Sequence, residues 1–188
     1  MKMKKVLSIG IILALLLGGC APWIMVGGNY ENSPQNFKAE FPKGWRKFNL
    51  SKDDVLITKD GLSLQFIRIS RSPIEKELQH TEKKFTKGML PQEVAEIVIQ
   101  NFRSNADIMN QQVLANNPAL IGGYPGFNIV ITFQTKEGLT KKSIVYGFLS
   151  GESYYEILYE GAKRYYFSKD ESDFEKVKDT FKLLRDNV

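Results

Sequence analysis

The sequence has only one cysteine and one histidine among its 188 residues. One cysteine excludes an internal disulfide, and one histidine excludes a metal site made of clustered imidazoles. A strong excess of charge is also lacking: 26 Lys and Arg stand against 21 Asp and Glu, and three of these cations lie in the first five residues. Without those three the balance is 23 against 21, so we expect no nucleic-acid partner.

Catalytic motifs are lacking as well. The sequence has no Gly-x-Ser-x-Gly nucleophile elbow, and the stretch from Gly122 to Gly126 lacks the Gly-Lys-Ser/Thr ending of a phosphate-binding loop. The sole histidine, His80, falls on the polar side of a Lys/Glu-rich stretch, where a solvated side chain is the default. We therefore expect no catalytic residue, no metal and no cofactor, and we interpret the chain as a protein that is not an enzyme.

The first twenty residues have the layout of a secretory signal. Positive charges in residues 1–5 precede an apolar run over residues 6–17. The run ends in the four residues Leu17, Gly18, Gly19 and Cys20. This ending resembles the lipobox of bacterial lipoproteins. The resemblance implies a signal peptide at 1–19, cleavage before Cys20, and acyl chains such as palmitate on the Cys20 sulfur.

A lipid on Cys20 makes the membrane the first expected partner. Several acyl chains on one residue supply the multiple insertions that stable anchoring needs. The alternative is an uncleaved transmembrane helix, because no charge occurs over residues 6–30. Gly18, Gly19 and Pro22 would interrupt such a helix. By the sorting rule of lipoproteins in diderm bacteria, Ala21 implies the outer membrane, facing the periplasm, if the host has two membranes.

Turn-forming residues dominate the segment that follows the cysteine, which predicts a lipidated tether over 20–35. Residues 23–26, Trp-Ile-Met-Val, are less typical of a tether. They suit the membrane interface, where Trp rings are favoured, or packing on the edge of the domain. Both interpretations stay open at this point.

From Asn36 onward the pattern predicts an α+β domain. A strand over 36–41 alternates apolar and polar residues and ends at Pro42, and the Asp-Gly pair at 60–61 predicts a hairpin. Further strands are predicted at 55–58, 62–69, 112–121, 126–135, 142–149 and 154–159, the last four as an antiparallel meander.

Helical periodicity appears at three places. Apolar residues at 74, 78 and 85 predict an amphipathic helix or a long crossover, and Pro91 begins a helix that continues to Phe102. A terminal helix is predicted over 174–184, with capping boxes at Ser168 and Ser172 as candidate starts.

Four short motifs come in a recognisable order. They are Phe-Pro-x-Gly-Trp at 41–45, Leu-Pro-Gln-Glu at 90–93, Tyr-Glu-Gly-Ala at 159–162, and an acidic segment with Phe-Glu at 170–175. This order resembles the PsbP-like fold, which is shared by the Ran-binding Mog proteins and small bacterial lipoproteins. The resemblance implies one domain over 36–188, built as an α/β/α sandwich around a curved antiparallel sheet. It also implies a non-enzymatic binding or assembly role, with a partner that differs between branches.

Aromatic residues near the end of the meander form a candidate partner surface. Its residues are Tyr154, Tyr155, Arg164, Tyr165 and Tyr166. Aromatics and arginine are favoured at contact hot spots, although strands also prefer tyrosine for packing. A basic run over 83–87, with Arg68, Arg71 and Lys76 upstream, is a second candidate, for anionic head groups or a glycan; a solvated helix face is the alternative.

Two hypotheses about function follow. The first is a membrane-anchored lipoprotein of the bacterial cell envelope that binds or assembles an unknown envelope protein or glycan. The second is an envelope enzyme on the same anchor, for example a glycan-cleaving protein that acts through two facing carboxylates.

Overall fold

The computed structural model describes residues 23–49 and 54–185. Cys20 and the residues around it lie outside the described ranges. The strands are β1 (Trp23–Asn32), β2 (Phe37–Phe48), β3 (Asp54–Thr58), β4 (Gln65–Pro73), β5 (Ile108–Ile121), β6 (Tyr124–Thr135), β7 (Thr140–Ser150), β8 (Ser153–Ala162) and β9 (Lys182–Leu183). The helices are α1 (Pro91–Arg103) and α2 (Tyr166–Thr180).

The described strands form one antiparallel sheet in the order β1-β2-β3-β4-β8-β7-β6-β5, and β9 pairs with β2. Helix α2 packs on β2, β4 and β8, whereas α1 packs on β5, β6 and β7. Each helix covers its own apolar cluster: Phe174 and Val177 belong to one, and Val94 and Val98 to the other. The expected α+β class, a sheet flanked by helices, is confirmed.

The sheet begins earlier in the chain than the sequence indicated. Residues 23–32 form β1, which pairs with β2 from Trp23 opposite Phe48 to Asn32 opposite Phe37. The prediction of a tether over 20–35 is therefore wrong for these residues. Pairing with β2 supplies hydrogen bonds along one side of β1. Gly28, with φ of 80°, lies at the register shift, where a glycine is suited to a bulge.

Strand β2 also differs from expectation, because it continues through Pro42 to Phe48. The register of β1 and β2 shifts between Val26 and Gly28, so that Gly27 faces the segment containing Pro42. A bulge of this kind accommodates a proline, which donates no hydrogen bond to the ladder.

The hairpin between β3 and β4 has a longer turn than predicted. Residues 62–64 belong to the turn, and β4 begins at Gln65. Within β4, Ile67 and Ile69 are buried in the cluster under α2. The strand predicted at 62–69 is therefore wrong for its first three residues, which belong to the turn.

The segment from Ile74 to Leu90 is an irregular crossover and not a helix. Its backbone bonds run between its own two arms, because the Phe85 N–H donates to the Ile74 carbonyl at 3.0 Å and the Leu78 N–H to the Lys83 carbonyl at 2.8 Å. The Phe85 ring packs against Tyr154 with centroids 4.6 Å apart. Burial of Ile74 and Phe85 in a folded-back loop accounts for apolar spacings that mimic a helix.

The predicted helix at Pro91 is confirmed. The Glu93 carboxylate accepts the Leu90 N–H at 2.7 Å, half of a capping box. The four late strands are confirmed with longer bounds, and they make the predicted meander. Strand β5 is an outer strand whose register with β6 shifts between Met109 and Gln112 and again between Val113 and Ala115.

The terminal helix is displaced towards the N-terminus relative to the prediction. Helix α2 begins at Tyr166, ahead of both predicted capping boxes, and ends at Thr180. Phe181 is extended, and the next two residues form β9 against β2. The buried Phe181 ring therefore reaches the core from the end of the helix. No helix in the described ranges is both long and apolar enough to cross a bilayer.

Candidate functional site

The predicted aromatic surface is divided by the fold. Tyr154 and Tyr155 are buried in the core, at 5% and 0% exposure, and their rings pack against Phe85 and Phe148. As strand residues facing the two apolar clusters, they serve packing and not recognition, so this part of the prediction is wrong. The expected preference of strands for tyrosine is the reason.

The other three residues of that prediction lie together at the start of α2. Arg164 and Tyr165 are exposed, and the Tyr165 ring meets the Tyr166 ring edge-on with centroids 5.2 Å apart. The Lys169 ammonium lies 5.9 Å and 5.6 Å from those two ring centres. This is a small exposed patch, with the lysine already placed over both rings.

Three basic residues of the second prediction have partners of their own. Arg68 forms an ion pair with Glu156 at 2.7 Å, and the Arg71 Nε donates to the Ser153 hydroxyl at 3.0 Å. In the crossover, Lys84 pairs with Glu77 at 3.3 Å. These contacts hold cations to their own neighbourhoods, which favours the interpretation of solvated and structural charges. His80 lies in the same crossover, where its backbone N–H donates to the Asn101 side chain at 2.8 Å.

A cleft of about 650 Å³ lies where the two outermost strands on one side of the sheet meet the end of α2. It is lined by Asn29, Tyr30, Glu31, Lys38, Ala39, Glu40, Asp179, Thr180 and Lys182. The cleft is partly open to solvent. Strands β1 and β2 supply one wall, and the last turn of α2 with β9 supplies the other.

The floor of the cleft contains an aromatic stack. Tyr30 lies on the buried Phe41 ring, with centroids 4.5 Å apart and planes 13° from parallel. The Lys47 ammonium donates to the Tyr30 hydroxyl at 3.4 Å and lies 5.5 Å from the ring centre. Phe41 and Lys47 therefore hold the Tyr30 ring in one position, as a preorganised contact surface requires.

Charges of both signs surround the stack. The Glu40 carboxylate pairs with Lys176 at 2.7 Å, and the Asp179 carboxylate pairs with Lys178. Lys38 and Lys182 are cross-strand neighbours and both exposed. Paired carboxylates beside exposed ammonium groups offer hydrogen bonds and ionic contacts to a polar ligand.

A second cavity of about 420 Å³ adjoins the cleft through Glu31. Arg71 and Arg185 line it together with Asn36. Asn36 adopts φ of 60°, and its side chain hydrogen-bonds the backbone of Arg185. These bonds hold the last described residues beside the start of β2. The two cavities form one polar surface along β1 and the chain's last described residues.

Below the opposite end of α2, a buried carboxylate links the helix to the turn between β3 and β4. Asp170 is 2% exposed and accepts from Lys59 at 2.7 Å and from the Gln65 amide at 2.9 Å. The hydrogen bond to Asp170 raises the pKa of Lys59, although partial burial opposes the shift. The ammonium of Lys169 lowers the pKa of the Asp60 carboxyl, which it meets at 2.6 Å. This network fixes the start of α2, and it is structural.

Nothing in the described part of the chain gathers three or more His, Cys, Asp or Glu side chains in a way that could hold a metal ion. The cleft could not be predicted from the sequence, because the composition of residues 23–32 indicates a tether and not a strand. The alternation of Val26 and Tyr30 on one face of β1 was masked by Gly28, which lies between them on that face.

Comparison with solved structures supports the assignment of the fold. The chain superposes on the Ran-binding protein Mog1p of Saccharomyces cerevisiae with a TM-score of 0.57 and 8% identity, over 86% of this chain and 97% of that one. Cyanobacterial PsbP from Synechocystis sp. PCC 6803 gives 0.55 and 12% identity, over 88% and 95%. This chain has the fold of PsbP and Mog1p.

A structure from Bacteroides thetaiotaomicron gives a TM-score of 0.55 at 17% identity over 86% of this chain. The present chain spans about half the length of that protein, 50%. No protein-family model matches the sequence, and no curated protein matches it. The predicted resemblance is thus confirmed at the level of the fold, whereas function has to be argued from the site.

Proposed function

We propose that this protein is a membrane-anchored lipoprotein of the bacterial cell envelope, which binds or assembles an envelope partner without catalysis. The anchor is Cys20, preceded by the lipobox-like Leu17-Gly18-Gly19. The binding surface is the cleft between β1, β2 and the end of α2. If the host is diderm, Ala21 directs the protein to the outer membrane, facing the periplasm.

The observation that carries the proposal is the chemistry of the cleft. Tyr30 is a rigid aromatic surface held on Phe41, and the carboxylates of Glu40 and Asp179 are paired with lysines. Catalysis by two carboxylates needs one acid and one base placed across a substrate, and such ion pairing does not favour that arrangement. An aromatic floor with a mixed polar rim favours binding of a protein segment or a glycan.

The shared fold gives independent support. Mog1p, whose fold this chain shares, is a Ran-binding protein. A binding role for this chain is consistent with that neighbour, although the residues of the cleft are argued only from this molecule.

Two measurements test the proposal. Metabolic labelling with a fatty acid and mass analysis of the N-terminus check the anchor: Cys20→Ser is expected to yield an unlabelled, uncleaved precursor. Label retained in Cys20→Ser, or a mature N-terminus located before Cys20, would contradict the lipoprotein assignment.

The binding surface is tested by affinity capture of the lipidated protein from its native envelope, followed by mass spectrometry. The pair Lys38→Glu and Lys182→Glu reverses two exposed charges of the cleft, and Lys87→Glu reverses one exposed charge in the distant crossover. We expect the captured partner to be lost from the first variant and kept by the second. Loss only in an Arg164→Glu, Tyr165→Ala variant would assign binding to the patch at the start of α2.

A further inference from the structure

Few residues separate the proposed anchor from the folded domain. Only Ala21 and Pro22 separate Cys20 from Trp23, the first residue of β1. Three residue steps of fully extended chain span about 10 Å. A headgroup layer is roughly 5 to 8 Å thick on each side of the hydrocarbon core. A lipid on Cys20 therefore holds the beginning of β1 at the bilayer surface.

The surface at that end of β1 is apolar and aromatic. Trp23 and Met25 alternate onto one face of the sheet, opposite Phe48 and Arg46 of β2. Met25 is 63% exposed, and the Trp23 and Phe48 rings pack with centroids 4.9 Å apart. Helix α1 packs on β5, β6 and β7, which lie at the edge of the sheet away from β1. Helix α2 packs on the face of the sheet opposite Trp23 and Met25. We call Trp23, Met25, Arg46 and Phe48 the anchor-proximal face.

The charge of this region has one sign. Residues 23–30 and 41–48 have no Asp or Glu. Their cations are Lys43, Arg46 on the anchor-proximal face, and Lys47 on the other face, where it donates to Tyr30. Lys43 and Arg46 are exposed. Basic groups beside Trp and Met are the composition that anionic headgroups and the bilayer interface attract.

Resting on the proposed lipid at Cys20, we infer that the anchor-proximal face lies against the membrane and contacts anionic lipid. Contact there would orient the domain, with β1 at the bilayer. The short chain to Cys20, the exposed Met25 beside the Trp23 ring, and the uniform positive charge point to the same occupant. The lipid thus anchors the protein, and this face determines which way the domain points.

Trp23 itself reports the contact. The lipidated full-length protein is reconstituted into vesicles of phosphatidylethanolamine and phosphatidylglycerol, 3:1 by mole, with and without brominated acyl chains, which quench nearby tryptophan fluorescence. The sequence has two tryptophans, and the other, Trp45, is fully buried and donates to Asp173. We expect quenching in the parent and in Trp45→Phe, and its loss in Trp23→Phe.

A matched pair of charge substitutions tests the face. Met25→Asp places a carboxylate on the anchor-proximal face. Leu120→Asp places one on β5, at the opposite edge of the sheet, where Leu120 is 70% exposed. We expect Met25→Asp to reduce quenching and Leu120→Asp to leave it at the parental level. Both variants are checked by near-ultraviolet circular dichroism, so that a folding defect is not taken for lost contact.

Failure of the anchor and failure of the orientation give different results. If mass analysis finds no acyl group on Cys20, the anchor is overturned and this inference with it. If Cys20 is acylated and Trp23 fluorescence is not quenched, the orientation alone is overturned. Equal quenching in Met25→Asp, Leu120→Asp and the parent also overturns it, because the contact would then not involve this face.

Discussion

Asn36 binds Arg185, a residue 149 positions later in the chain, through both ends of its side-chain amide. The Nδ2 group donates to the Arg185 carbonyl at 2.8 Å, and Oδ1 accepts the Arg185 N–H at 3.0 Å. The backbone carbonyl of Asn36 also accepts the Leu184 N–H at 3.2 Å. Asn36, the residue that precedes β2, therefore holds the C-terminal segment against the sheet, beside the cavity that adjoins the proposed binding cleft.

Two substitutions of Asn36 separate the contribution of its side-chain hydrogen bonds from that of its backbone conformation. Asn36→Gly keeps the positive φ of 60° accessible but removes the two side-chain bonds to Arg185 and the bond from Nδ2 to the Tyr155 hydroxyl at 3.4 Å. This loss is expected to cost about 1 to 2 kcal/mol of unfolding free energy. Asn36→Ala adds backbone strain of roughly 1 kcal/mol or more, because alanine disfavours the left-handed region. Chemical denaturation of both variants gives the comparison. If Asn36→Ala were as stable as the parent, the hydrogen bonds of the Asn36 side chain would contribute nothing to the free energy of unfolding.

Phe181 is expected to be the more sensitive member of a contrasting pair. Its ring is 0% exposed and packs near Phe37, with centroids 5.4 Å apart. Phe181→Ala is expected to lower the unfolding free energy by roughly 3 to 5 kcal/mol. His80→Ala, in the crossover, is expected to change it by less than about 0.5 kcal/mol and to leave partner capture unchanged. A silent Phe181→Ala with a disabling His80→Ala would overturn both the packing and the non-catalytic proposal.

Two truncations test whether β1 belongs to the domain. Removal of residues 1–22 is expected to preserve cooperative unfolding. Removal of residues 1–35 takes away β1, including the Tyr30 ring that stacks on Phe41, and leaves β2 as an unprotected edge. We expect a lower melting temperature and association in the second protein, measured by calorimetry and light scattering. Identical melting temperatures would restore the interpretation of 20–35 as a tether.

Acid is expected to weaken the link between α2 and the turn at Asp60. Lys169 lowers the pKa of this carboxyl below its ordinary value of 3.8, and the Gln65 amide also favours its charged form. The unfolded chain then takes up the proton at higher pH than the folded protein. The stabilisation is present above pH 3.8 and is lost as the pH falls through the lower, folded-state pKa.

Urea denaturation at pH 6 and pH 3 measures this effect. Asp60→Asn is expected to lose less stability than the parent over that interval, because the titrating group is gone. Glu75→Gln, which removes an exposed acid in the crossover, serves as the control and should follow the parent. A parental pH dependence in Asp60→Asn would contradict the role of the Lys169 contact.

The strands of the meander could be predicted because their side chains alternate, and α1 because Pro91 and its apolar face agree. For Ile74 to Phe85 the sequence left a helix and a long crossover open, since apolar spacings of three and four also fit a loop that buries Ile74 and Phe85. Strand β1 exists through its partner β2, a long-range pairing that local composition does not reveal. Because β1 was not predicted, the cleft that it lines was not predicted either. The end of α2 was misplaced because Phe181 is apolar in either conformation, and the extended chain after it is set by long-range pairing of β9 with β2.

The irregular register of β5 has a consequence if the proposed lipid anchor gathers copies of the protein on one membrane. On such a surface a regular outer strand with exposed Leu114 and Leu120 would favour sheet growth from one molecule to the next. Two register shifts bend this strand, and Pro118 offers no N–H to an incoming backbone. The register shifts and Pro118 therefore disfavour pairing of β5 with a strand of a neighbouring copy.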